Sequence, residues 1–248
     1  MVSFSRENGV LELRGNVSKR ELDLFSKDCA VDMENDVREL QWADVEFIPD
    51  GMFEDYNLES ICLTGGFVEI GTRAFAGCEK LAHIEFHATR TEIGHYAFTR
   101  CYSLEQVDLS RCLMHNGAFC GCLKLRTVKL PERHVILMPS VFAMTDVEEI
   151  NTEGIDYVFG HAFAATRLLR SIRFYGHVVI EDHAFMSSEI QEVYLSKDTV
   201  VSRDAFEYCP KLKNGFVAYE HGWVEPDVLE DLDGYLGFPT KTTFIELF

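Results

Sequence analysis

The sequence predicts an α/β solenoid: a right-handed stack of short strands joined by short helical or irregular segments and capped at both ends. Three observations predict it. Phenylalanine recurs as Phe53, Phe75, Phe98, Phe119, Phe142, Phe163, Phe185 and Phe206, at intervals of 22, 23, 21, 23, 21, 22 and 21 residues. A period in this range means that each unit buries its apolar face against the next one. Five residues upstream every unit is apolar, at Ile48, Ile70, Ile93, Met114, Leu137, Val158, Ile180 and Val201, as a strand facing a continuous core requires. The units close on apolar-x-apolar triplets such as Ile84 to Phe86, Val107 to Leu109 and Val193 to Leu195, which is the alternation of a strand with one buried face.

The elements follow in chain order. Residues 1–44 lack the repeat columns and are expected to form an N-terminal cap with a short helix. Ser18 would begin that helix and Glu21 complete its capping box, with Leu22, Leu24 and Phe25 on the buried side. Residues 45–215 carry the repeats. One residue before each phenylalanine stands alanine, except at Met52 and Val141. Three residues after it stand Tyr56, Cys78, Cys101, Cys122, Thr145, Thr166, Ser188 and Cys209. The units at Phe142 and Phe185 are one residue shorter in the following turn, and Gly215 stands where an aliphatic residue is due, so the repeats are expected to end there. Residues 216–248 form a C-terminal cap or tail. Trp223, Leu229, Leu232, Tyr235 and Phe238 could cover the last unit, and Phe244, Ile245, Leu247 and Phe248 form an alternative strand or docking motif.

The stretches EIGTRAFAGCEKLAHIEF, EIGHYAFTRCYSLEQVDLS and NGAFCGCLKLRTVKLP resemble BspA-type leucine-rich repeats, whose unit runs L-x-x-I-x-L-P and then I-G-x-x-A-F-x-x-C. The resemblance covers roughly residues 45–215 over about eight units and implies a leucine-rich repeat solenoid. Many relatives are secreted or surface-anchored adhesins, so it also implies a second function, adhesion to host or matrix proteins.

Net charge is −18 and is concentrated at the ends. Residues 1–60 hold 15 acidic and 6 basic side chains, residues 204–248 hold 9 and 3, and the middle holds 17 and 14. An acidic chain without a basic stripe is a poor fit to nucleic acid, whose phosphates are met by Lys and Arg. The start MVSFSRENGV shows no leader and no stretch is long enough to span a membrane, which leads to the expectation of a cytoplasmic, reducing location, or a secreted one if a leader was removed. The alternation of cysteine with threonine and serine points to a structural ladder under the turns. Cys101, Cys112, Cys120 and Cys122 lack C-x-x-C spacing, which speaks against zinc there.

No catalytic motif stands in the chain, so the expectation is a non-enzyme without cofactor or metal. His161 and His183 share one phase and should stack near Asp182 and Asp204; a metal-dependent binder using that face is a further alternative. The leading expectation is a protein-interaction scaffold whose stacked strands present an outward surface. Two outward columns define it, Ser60, His83, Gln106, Thr127, Glu149, Ser171, Glu192 and Cys62, Glu85, Asp108, Lys129, Asn151, Arg173, Tyr194. Arg126, Lys129, Arg170, Arg173, Tyr175 and Tyr194 place basic and aromatic groups on its later part. Arg and Tyr are favoured anchors, so a protein or peptide partner carrying acidic groups is expected, and neither nucleic acid nor membrane. The partner-binding set is His83, Glu85, Gln106, Asp108, Arg126, Lys129, Asn151, Arg170, Arg173, Tyr175 and Tyr194.

Overall fold

The computed structural model describes residues 2–5, 7–196, 198–212 and 217–218. Within them each repeat makes one turn of a stack with three sides, two of them strands and the third a tight turn built around the recurring phenylalanine. The first side gathers Glu39–Ala43, Ser60–Leu63, His83–Phe86, Gln106–Asp108, Thr127–Lys129, Glu149–Ile150, Ser171–Arg173, Glu192–Tyr194 and Val217–Ala218. The second gathers Phe47–Ile48, Phe67–Ile70, Arg90–Ile93, Cys112–Met114, Val135–Leu137, Ile155–Val158, Val179–Ile180 and Val200–Val201. Within each sheet these neighbours pair in parallel, with Ile61 opposite Ile84 and Ile70 opposite Ile93, so the aliphatic residues of paired strands stand in line along the stack. The first side divides into three sheets, with breaks after His83–Phe86 and after Glu149–Ile150, and the second into two four-stranded sheets between Cys112–Met114 and Val135–Leu137.

On the third side the backbone binds unit to unit. The N–H groups of Phe53, Phe75, Phe98, Phe119, Phe142, Phe163 and Phe185 donate to the carbonyls of Ala74, Ala97, Ala118, Val141, Ala162, Ala184 and Ala205, at 2.8–3.0 Å. All eight phenylalanines are buried, and their rings form an unbroken ladder with centroids 4.9–6.1 Å apart and planes within 2–26°. Its widest spacings, 6.1 and 5.9 Å, flank Phe142. That ring follows Val141, whose two extra methyl groups occupy a fully buried column otherwise held mostly by alanine, and the same unit begins where the second side divides. The glycine of the I-G-x-x-A-F pattern also has a physical reason, since a Cβ on Gly94 would lie 2.5 Å from the Ile70 carbonyl oxygen.

The cysteine column behaves as a ladder of weak donors. The thiols of Cys78, Cys101, Cys122 and Cys209 reach the carbonyls of Phe53, Phe75, Phe98 and Phe185 one unit back, at 3.0–3.4 Å. Thr145 and Thr166 instead donate to the phenylalanine carbonyl of their own unit, at 2.8 and 3.0 Å. Burial pushes the Cys78 and Cys112 thiols up to about 12 and raises Cys101 as well.

Helix α1 spans Lys19–Cys29 and opens on the expected capping box. Ser18 accepts from the Glu21 N–H, and the Glu21 carboxylate accepts from the Ser18 N–H at 2.8 Å. Its inner side is narrower than the sequence suggests. Leu22 is buried and Phe25 packs partly against the core, whereas Leu24 is 51% exposed. A single turn, α2 at Met33–Asp36, follows. Among the described residues these are the only helices, so the repeat connections are turns rather than helical segments.

The inward columns also reach further upstream than the period does. Leu40 and Trp42 lie opposite Ile61 and Leu63, Leu11 and Leu13 lie opposite Leu40 and Trp42, and Val2–Ser5 adds an antiparallel edge strand to Val10–Arg14. At the other end Val217 and Ala218 lie opposite Val193 and Tyr194, so the first side has a strand past Gly215, where the sequence predicts the end of the repeats. The apolar groups expected to cover the last unit, Trp223 to Phe238, and the alternative strand or docking motif at Phe244 to Phe248 lie outside the described residues.

Candidate functional site

The first side presents the two outward columns in register. Ser60 is opposite His83, Cys62 opposite Glu85, Gln106 opposite Thr127 and Asp108 opposite Lys129, and Arg173 opposite Tyr194. Side chains alternate across a strand, so the buried Ile61, Val107, Val128, Ile172 and Val193 between them turn these positions outward. His83, Glu85, Gln106, Asp108, Arg126, Lys129, Asn151, Arg170 and Tyr175 are exposed, and Arg173 and Tyr194 are half-buried. Arg126 and Arg170 stand one residue before their strands, at the margin of the face.

The basic side chains on this face already have carboxylate neighbours. Lys129 Nζ meets Asp108 at 2.9 Å, Arg126 meets Glu148 at 3.3 Å and Arg170 meets Glu189 at 3.6 Å. Burial acts to raise Asp108, yet bonds from Ser110 and Lys129 leave it below the usual carboxylate range. Charge on the face is therefore locally balanced rather than net basic. Exposed pairs of this kind are worth only about 0.2–1 kcal/mol each, so a partner's carboxylate can replace one at little cost.

Arg173 is different. Its guanidinium lies over the Tyr194 ring, 4.5 Å from the centroid, and the Tyr194 hydroxyl donates to Glu192 at 2.8 Å. That bond raises the phenol's pKa, with burial adding to the effect. The Thr152 hydroxyl donates to the Arg173 carbonyl and holds the strand end. An open groove of about 430 Å³ runs here, its walls including Asn151, Ser171, Arg173, Tyr175, Glu192 and Tyr194. Of the residues singled out from sequence, Asn151, Arg173, Tyr175 and Tyr194 therefore share one concavity, with Glu148 and Glu149 on its rim. Smaller groups line another groove between His83, Gln106 and Arg126.

His161 and His183 stack as their common phase predicts, with centroids 5.4 Å apart and planes 6° from parallel. The carboxylate that His183 meets is Glu207, at 2.8 Å, rather than the expected Asp182 or Asp204. Among the described residues that face does not bring three ligand atoms within 4.8 Å of one another, and neither do Cys101, Cys112, Cys120 and Cys122; the group that does is Cys62, Glu85 and His87.

Sequence reading also passed over the outward column of the second side. Leu113, Ile136 and Val200 are exposed and Tyr157 and Val179 half-buried, and Ile136, Tyr157, Val179 and Val200 follow one another in register. The signal was present in the residue six before each phenylalanine from Phe119 onward.

A stack of parallel strands repeating every 21–23 residues, with outward columns on both strand sides, is the architecture expected of a leucine-rich repeat protein. The family model described as BspA type leucine rich repeat region matches in six copies, over residues 46–152 and 113–213, and the chain belongs to that family. The family carries a protein-interaction or surface-adhesion role, with protein partners, on typically non-enzymatic scaffolds. Among curated proteins none matches the sequence. Two solved structures resemble it. One is a leucine rich cell surface protein from Faecalibacterium prausnitzii, at 15% identity over 89% of this chain and 93% of that one, with a TM-score of 0.38. The other is the T. pallidum leucine rich repeat protein, at 15% identity over 96% and 93%, with a TM-score of 0.39. Among the described residues no helix is long and apolar enough to cross a membrane.

Proposed function

We propose that this chain is a non-enzymatic interaction scaffold that binds a protein or peptide partner in the groove lined by Asn151 and by the strands of Arg173 and Tyr194. The observation that carries the reading is the Arg173–Tyr194 stack, with the guanidinium carbon 4.5 Å from the ring centroid and the two residues in register on adjacent strands. It offers a planar cation and an aromatic face already held in place, so little side-chain entropy is lost on docking. Tyr175 and Asn151 add an apolar edge and an amide at the rim. A partner with carboxylates fits by exchanging with the exposed pairs of Lys129, Arg126 and Arg170.

The test is capture of partners from soluble extract of the source cell by wild type and by an Arg173→Ala/Tyr194→Ala variant, with thermal midpoints measured in parallel. A protein retained by wild type and lost by the folded variant is the expected result. Equal retention by both would remove the groove from the reading. A second reading, a surface or secreted adhesin of BspA type, is favoured by the family match over residues 46–213 and differs in the source of the partner, which would be host or matrix protein.

A further inference from the structure

We propose that Cys62, Glu85 and His87 form a binding site for one zinc-class divalent cation, towards the N-terminal end of the first side. Cys62 and Glu85 face outward from directly opposed positions on adjacent parallel strands. His87 stands two residues beyond Glu85, just past the end of the strand, and its backbone N–H donates to the Leu63 carbonyl at 2.9 Å, which fixes the backbone there. The sulfur, a carboxylate oxygen and a ring nitrogen lie within 4.8 Å of one another, with His87 Nε2 already 3.0 Å from Glu85 Oε2.

Tetrahedral zinc, with bonds of about 2.0–2.3 Å, sets its ligand atoms about 3.3–3.6 Å apart. Closing the trio therefore takes about an ångström of side-chain rotation. Glu85 and His87 are 62% and 59% exposed and free to make it, while Cys62 is half-buried in the sheet. A thiolate and an imidazole select zinc-class ions over magnesium or calcium, which prefer all-oxygen shells. Three protein ligands leave the fourth position open. Beside Cys62 lies a groove of about 270 Å³ whose walls include Leu13, Arg14, Gln41, Trp42 and Thr64, room for water or for a donor from a docked partner. Site and groove lie several strands away from Arg173 and Tyr194, so this inference stands independently of the docking reading.

The test titrates Co²⁺ into the full chain carrying Cys29→Ser, which removes the exposed cysteine, and then adds Zn²⁺. Expected are thiolate-to-cobalt charge-transfer absorption saturating at one equivalent and its displacement by zinc. Cys62→Ser should abolish the band, and Glu85→Gln and His87→Ala should each weaken binding at least about tenfold. Because all three side chains face outward, circular dichroism and the metal-free thermal midpoint should not change. A folded protein without the band, or a band of undiminished affinity in Cys62→Ser, would overturn the site.

Discussion

Phe75 and Phe98 stack with ring centroids 5.2 Å apart and planes 2° from parallel, and the Phe75 N–H donates to the carbonyl of Ala97, the residue just before Phe98, at 2.8 Å. This backbone bond and ring contact thus join the turns of successive units, beside the strand ladders that pair their other two sides. In a stack whose units touch only their neighbours, such interfaces hold the fold together. Phe98→Ala should cost roughly 3–5 kcal/mol, because rings on both sides prevent the gap from closing. Chemical denaturation gives the value, and a loss below about 1 kcal/mol would mean the ladder contributes little.

Gly94→Ala tests the close approach between units. The new methyl meets the Ile70 carbonyl at 2.5 Å, so the two units must separate, at roughly 1–3 kcal/mol. An unchanged denaturation midpoint would contradict that contact.

The thiols give a sharper chemical contrast. Under native conditions an alkylating reagent should modify exposed Cys29 and leave Cys78, Cys101, Cys112 and Cys122 intact, since all four are buried and burial suppresses the thiolates of Cys78, Cys101 and Cys112. Peptide mass spectrometry before and after unfolding reads the difference.

Acid should weaken one identifiable contact. The hydrogen bond from Arg73 holds the Glu54 carboxyl below its ordinary value. A lowered native pKa contributes stability that is present above the unfolded value of about 4.3 and lost as pH falls through the native one. The gap in thermal midpoint between wild type and Glu54→Gln should therefore be small but measurable at pH 7, as befits an exposed pair, and should vanish on acidification. A gap that does not depend on pH would contradict the assignment.

Much of the fold was legible because each column meets its own kind one unit away. Phenylalanine stacks on phenylalanine, Ile70 on Ile93, and a cysteine thiol reaches the carbonyl one unit back. What escaped was set by geometry without a local spacing. In the strand at Leu40 and Trp42, Leu40 stands 13 residues before Phe53, as Ile150 does before Phe163, but no phenylalanine turn precedes that strand, so it reads as part of the N-terminal cap. Leu24 lies on an amphipathic helix whose inner side is narrower than its run of apolar residues. The ion pairs of Lys129 and Arg126 join residues one unit apart, Asp108 and Glu148, and turn an apparently basic patch into a balanced one. The trio at Cys62, Glu85 and His87 arises only once two strands lie side by side.

Two outward faces are to be distinguished for the proposed docking, the groove at Arg173 and Tyr194 and the apolar row at Leu113, Ile136 and Val200. Site-specific photo-crosslinking separates them most directly, with the reactive side chain placed in turn at Asn151 and at Ile136, both exposed. If the first side is the docking face, a defined partner adduct forms from position 151 and not from 136, and Arg173→Ala/Tyr194→Ala removes it. An adduct from position 136 alone, or one from 151 that survives the double substitution, would contradict it.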